Sequence, residues 1–317
     1  MPTQPASTES TLISRFEGQV QSSGGALRFE VVHTTRYRYA KPVTFSDHRV
    51  IFRPRAGHDI RVLDEALTVN LPHTVRWIQD ALSNSVAFVS LPGAGTLLEF
   101  VCRFSIEHLG VRNTSLPLEP RGMRLPLQHT PDEWVDLQAY MCPHTEDPEG
   151  VLAAWANSFL DRSRDTREVL ARMMDDIQSR FAYQTREAEG TQSPLETLNL
   201  KGGTCRDYAW LMIEALRRLG VACRFVSGYL YDPALDDGAA SGLAGAGATH
   251  AWLQTYLPGA GWVPYDPTNQ LTESHNLIRV AYARYPAQAM PLAGSWFGAS
   301  GDYLGMEVIV SVRRLAP

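Results

Sequence analysis

Over residues 27–111 apolar and polar positions alternate with a period of two. Phe29, Val31, His33, Thr35, Tyr37 and Tyr39 fall on one parity; Glu30, Thr34, Arg36 and Arg38 fall on the other, and Val32 breaks the rule. Aromatic and β-branched residues at every second position predict a half-buried strand. Pro42, which has no N–H to donate, is expected to end it. Further strands are expected at 50–54, 67–71, 74–79, 86–90 and 97–108, separated by Pro, Gly and Asn turns. Short strands at this spacing predict a sandwich or a curled antiparallel sheet. His33 and Cys102 fall inside strand patterns and are read as core.

The pattern lapses over 112–150, where six prolines occur: Pro117, Pro120, Pro126, Pro131, Pro143 and Pro148. That density predicts an extended surface connection, with one short helix over 132–141, and marks the domain boundary. Helical spacing then takes over. Val151, Leu152, Trp155, Phe159 and Leu160 form one stripe; Val169, Leu170, Met173, Met174, Ile177 and Phe181 form the next, preceded by Asp165 and Glu168 as a capping pair. A polar loop is expected over 187–194. Next, Cys205, Ala209, Met212, Leu216 and Leu219 line one face of a helix, with Arg206, Glu214, Arg217 and Arg218 off it. Gly220 is the expected C′ residue. Thr204 with Asp207 has the N-cap pattern, and Gly202 and Gly203 permit a tight turn before it. The thiol therefore sits in a helix's first turn and points towards the packed side. Unpaired N–H groups and the positive end of the dipole favour a thiolate there.

An apolar strand is expected over 223–231 with Gly228 inside it, followed by a Gly- and Ala-rich loop over 232–248 that contains Gly245 and Gly247. No helix pattern follows those glycines, so a phosphate loop is not expected; a mobile loop is the plain reading, and its place just before His250 offers a flap over the cleft as the alternative. The stretch 250–257 has two distinct faces, 258–260 turns, and 261–269 returns. If Leu257 pairs with Gly261, Asp266 falls opposite Trp252, on the face of His250 and diagonal to it. A slip of one residue would send Asp266 to the other face. Residues 277–300 read as irregular surface structure, and 303–312 as a final strand.

Composition narrows the function classes. Of the 317 residues 44% are hydrophobic and 20% charged, as in soluble globular proteins. A net charge of −5 and a pI near 6.0 give no electrostatic case for nucleic acid or an anionic membrane. Residues 1–25, rich in Ser, Thr, Gln and Gly, read as a disordered tail and lack a secretory pattern. Cys102, Cys142, Cys205 and Cys223 form no C-x-x-C pair, and the nine histidines form no H-E-x-x-H. No metal or other cofactor is expected, and the thiols are expected free in a cytoplasmic protein.

Three blocks in order, Gly202-Gly-Thr-Cys205-Arg-Asp-Tyr-Ala, His250-Ala-Trp252 and Tyr265-Asp266-Pro-Thr-Asn269, closely resemble the transglutaminase-like superfamily. More narrowly, the chain is similar to its bacterial branch assigned as cysteine proteases. His33-x-Thr35-x-Tyr37-x-Tyr39 and Arg53-Pro54-Arg55 match that branch's N-terminal β domain. Where the family often has Asp-x-x-Gly-Asn, this chain has Asp80-Ala81-Leu82-Ser83-Asn84.

The resemblance implies an α+β fold: an antiparallel β domain over 26–111, the Pro-rich connection, and a papain-like core over 151–317. It also implies Cys205 as nucleophile, His250 as general base and acid, and Asp266 as the group that orients His250. Gly203 and Trp252 are expected to line a substrate cleft. The expected partner is a peptide, protein or other amide. Hydrolysis is the favoured chemistry; acyl transfer to an amine and a non-catalytic scaffold are the alternatives.

Overall fold

The computed structural model describes residues 26–109, 117–184, 190–236, 238–272 and 275–316. The tail over 1–25 lies outside the described residues, as do parts of the connection and of the polar loop.

The N-terminal domain is built from β1 (Leu27–Phe45), β2 (His48–Val50), β3 (Ile60–Val69), β4 (Thr74–Gln79), β5 (Ser85–Ser90) and β6 (Gly95–His108). β1, β6 and β3 are antiparallel neighbours in one sheet; β2, β5 and β4 are neighbours in another. Phe29, Val31, Phe100, Phe104 and Ile106 are fully buried, as the alternation requires. Pro42 does not end β1. The ladder to β6 breaks after Arg38 and resumes at Val43, so the proline lies in an irregularity where no donor is needed. His33 is buried and bonds Thr35 Oγ1 through Nε2, at 3.1 Å.

The connection carries the helix Pro131–Met141, and the core adds the helices Val151–Ser158, Thr166–Arg180, Pro194–Leu200 and Cys205–Arg218. Asp165 caps Thr166–Arg180 by accepting from Glu168 N at 3.1 Å. β7 (Ala182–Tyr183) and β8 (Gly202–Gly203) form a short parallel pair. The remaining strands are β9 (Cys223–Leu230), β10 (Thr249–Leu257), β11 (Gly261–Asp266), β12 (Leu271–Thr272), β13 (Leu277–Ala283), β14 (Leu292–Ala293), β15 (Trp296–Phe297) and β16 (Tyr303–Arg314). The core sheet runs β12-β11-β10-β9-β13. Nearly all of the Cys205–Arg218 helix is buried, and it packs on β10 and β9.

Two expectations give way. Residues 277–283 are not irregular: β13 is a buried strand pairing with β9, its alternation disguised by a bulge between Arg279 and Ala281. The strand at 303–314 exists but leaves the core. It pairs with β1 from Phe29 to Tyr39, so the N-terminal sheet is completed from beyond the core. The expected assignment of 151–317 to one domain therefore does not hold for this strand, which takes the edge of β1 that β6 leaves free, nor for β14 and β15, which pair with β2 and β1.

The two domains are joined by buried polar contacts. His33 Nδ1 lies 2.9 Å from Tyr229 Oη on β9. Asn84 is fully buried, donating from Nδ2 to Tyr282 O at 2.8 Å and accepting from Tyr282 N at 2.9 Å.

Candidate active site

Cys205 is the first residue of its helix, as the capping pattern predicts. The cap is made by Asp207, which accepts from Thr204 N at 2.8 Å and Thr204 Oγ1 at 2.9 Å through Oδ2, and from Gln192 N at 2.7 Å through Oδ1. Three donors on a fully buried carboxylate fix the entry of the chain into the helix. Gly203 is needed for this approach: a Cβ there would lie 2.9 Å from Asp207 Cβ. Cys205 itself is 5% exposed.

The hairpin register is the expected one, with Leu257 opposite Gly261 and Leu253 opposite Tyr265. Continuing it puts Asp266 on the face of His250, and the side chains meet: His250 Nε2 lies 2.8 Å from Asp266 Oδ2, both residues almost fully buried. Asp266 also accepts from Thr268 N at 3.0 Å and Asn269 Nδ2 at 3.0 Å. Burial pushes its carboxyl up, but the imidazole and these donors outweigh it and hold the group ionised, below the usual carboxylate range. Burial likewise pushes His250 down, and Asp266 first, then Cys205, overcomes it, so the imidazolium is favoured. With Nε2 committed to Asp266, Nδ1 is the ring nitrogen left for the Cys205 thiol.

Three residues to which the sequence assigned no role in the site surround this pair. Tyr183 pairs with Gly203 across β7 and β8, which brings its hydroxyl to Cys205. Burial, then the neighbouring Cys205, raises the phenol and keeps its proton on. Gly245 belongs to the loop expected as a flap. Its φ is +87°, and a Cβ there would lie 2.8 Å from His250 Nδ1 and 3.6 Å from Tyr183 Oη. Asn269 pins that loop: it accepts from Ala244 N at 2.9 Å and donates to Ala244 O at 3.1 Å while also holding Asp266. The Gly-x-Gly spacing and the final residue of Tyr-Asp-Pro-Thr-Asn were the available signals; Tyr183 had none.

Gly203 and Trp252 do not line a cleft. Gly203 is buried against Asp207 and Gln192. Trp252 is 1% exposed and stacks on His250, ring centroids 6.0 Å apart, with Leu243 and Ala246 of the loop packed over its cluster. Gly228 makes room, since a Cβ there would lie 2.8 Å from the Trp252 ring. Of the other thiols, burial pushes Cys102 up to about 12 and Cys223 up as well, which suits core residues.

Comparisons with known proteins place the chain in a family. An uncharacterized protein of Mycobacterium leprae is 27% identical over 299 residues, covering 91% of this chain and 99% of its own. One from Mycobacterium tuberculosis is 28% identical over 286 residues, covering 85% and 88%. The crystal structure of a "putative cysteine protease" from Cytophaga hutchinsonii superposes with a TM-score of 0.67 at 19% identity, covering 93% of this chain and 92% of that one, a likeness of fold. Residues 153–267 match the transglutaminase-like superfamily and residues 29–107 the bacterial transglutaminase-like N-terminal region, so the chain belongs to the transglutaminase-like superfamily.

Proposed function

We propose that the protein cleaves amide bonds through a thioester on Cys205, with water as the usual acceptor. The observation that carries this reading is the His250–Asp266 contact of 2.8 Å, which commits one ring nitrogen to the carboxylate and leaves the other for a thiol at a helix N-terminus. His250 Nδ1 holds the proton taken from Cys205, Sγ attacks the carbonyl carbon as the thiolate, and Asp266 stabilises the imidazolium. The tetrahedral oxyanion receives the Cys205 backbone N–H and the Tyr183 hydroxyl. Collapse breaks the C–N bond, and His250 returns its proton to the departing amine. Water, deprotonated by His250, then attacks the thioester to release a carboxylic acid and the thiol. An amine attacking in place of water gives a new amide, the transferase alternative, which uses the same three residues.

The test is labelling by an amide-mimicking electrophile, compared with Cys205→Ala. Stoichiometric labelling of the wild type alone supports the enzyme reading; equal labelling of both ends it. Competition between water and an isotopically labelled amine for the acyl-enzyme then separates hydrolysis from transfer.

A further inference from the structure

Across β11, β10, β9 and β13 of the core sheet lies a cluster of cations and rings that the thiol chemistry does not use. Arg224 of β9, Arg55 of the N-terminal domain and Arg279 of β13 converge on Tyr282. The Arg224 guanidinium carbon lies 3.5 Å from the Tyr282 ring centroid and 4.2 Å from that of Trp262; that of Arg55 lies 4.6 Å from the Tyr282 centroid. Tyr140, from the helix Pro131–Met141, meets Trp262 edge-on at 5.2 Å and completes the wall. Three separate parts of the chain thus supply one site.

Its charges do not cancel. Arg279 is neutralised by Asp59 through two contacts. Arg55 and Arg224 have no carboxylate within ion-pair distance among the described residues. Arg224 donates only from Nε, to Gln254 Oε1 at 2.9 Å. Arg55 donates only from Nη1, to Leu82 O at 2.7 Å and Asn84 Oδ1 at 3.4 Å. Both Nη groups of Arg224, and Nε and Nη2 of Arg55, have no hydrogen-bond partner among the described residues, and both side chains are half-buried. Burial pulls Arg224 down to about 10 and Arg55 below its usual value, with Tyr282 opposing the shift and Arg279 adding to it. Two half-buried cations held beside a third, with donors to spare, are costly without a counter-anion.

We propose that Arg55 and Arg224 bind an organic carboxylate at the junction of the two domains. A guanidinium whose faces are covered by rings presents its planar N–H fork at the edge, which matches a carboxylate. The aromatic walls suit a ligand with an apolar body over a strongly hydrated inorganic ion. Arg224 lies across from Gln254, on the sheet face that carries His250, about 13 Å along β10 from it at the rise of a strand. The site stands whether or not Cys205 is a nucleophile.

The test is calorimetric titration of the full chain with succinate, with dialanine having a free or an amidated C-terminus, and with inorganic phosphate. Saturable binding of succinate or free dialanine is expected, weakened at least about tenfold in Arg55→Gln and Arg224→Gln and unchanged in Cys205→Ala. Free but not amidated dialanine would identify a peptide terminus as the source; succinate alone, a small acid. If the arginine variants fail to fold, phenylglyoxal modification of the wild type, mapped by mass spectrometry, gives the same answer: succinate should protect Arg55 and Arg224 over exposed arginines. No saturable binding, equal affinity in the variants, absence of protection, or binding of phosphate alone would overturn the proposal.

Discussion

His250 and Asp266 meet at 2.8 Å with almost no solvent exposure, and the contact uses Nε2, so the imidazole edge bearing Nδ1 is the one turned to Cys205. Asp266→Asn keeps the shape but removes the charge that holds the tautomer. The labelling rate of Cys205 should fall at least about 100-fold while the fold persists. Asp266→Ala leaves His250 buried without its partner and should also cost roughly 3–5 kcal/mol in denaturant unfolding. An Asn variant that labels at the wild-type rate would remove Asp266 from the mechanism.

Tyr183 reaches Cys205 only because β7 pairs with β8. If its hydroxyl serves the oxyanion, Tyr183→Phe should lower the acylation rate about 10–100-fold and leave KM near its original value. A rise in KM at constant kcat would make it a binding residue instead.

Gly245 and Gly247 both have positive φ, +87° and +76°, so alanine strains the backbone alike at either place. They differ in surroundings: a Cβ at 247 meets nothing closer than 3.8 Å, whereas one at 245 would press on His250. Gly245→Ala should depress labelling by about tenfold or more relative to Gly247→Ala, for a similar loss of melting temperature. Equal labelling in the two variants would show that the loop does not control the imidazole.

Ser83 lies in the left-handed region, with φ +61°. The turn is held by Asp80, whose Oδ1 accepts from Leu82 N and Asn84 N at 2.9 and 2.8 Å. Ser83→Gly should relieve the left-handed strain and raise stability by roughly 0.5–1 kcal/mol. Unchanged or lower stability in chemical unfolding would contradict this.

His33 is buried, which pulls its pKa down to about 4. A depressed folded value means that protonation favours the unfolded chain. The stability is whole above the unfolded value near 6.5 and drains away as pH falls towards 4. At pH 5 the loss from this residue alone is on the order of 2 kcal/mol. His33→Gln should flatten the slope of unfolding free energy between pH 7 and 5, while His108, also pulled to about 4 by burial, and His48 and His129, also pulled down by burial, keep part of it. An unaltered slope would mean that His33 does not titrate on unfolding.

The core of the site was legible in the sequence because each element obeys a local rule. Thr204 and Asp207 announce a helix start, and the three-residue turn after Leu257 fixes the parity that carries Asp266 to His250. What was not legible depends on distant partners. Tyr183 gains its place from Gly203, twenty residues later in the chain. Pro42 is tolerated because the ladder is irregular there, and the bulge in β13 hid a period that pairing with β9 reveals. Trp252 looked like a cleft residue by its motif, yet the loop packed over it makes it the backing of the imidazole.

The pairing of β16 with β1 bears on the order in which the molecule is synthesised. Residues 29–39 emerge early, and β6 can join them at once, but their other neighbour emerges only after the core sheet has been made. Until then one edge of β1 is open over eleven residues, a template for a wrong strand. The first sheet therefore gains this strand only after the Cys205 helix and its hairpin have been synthesised.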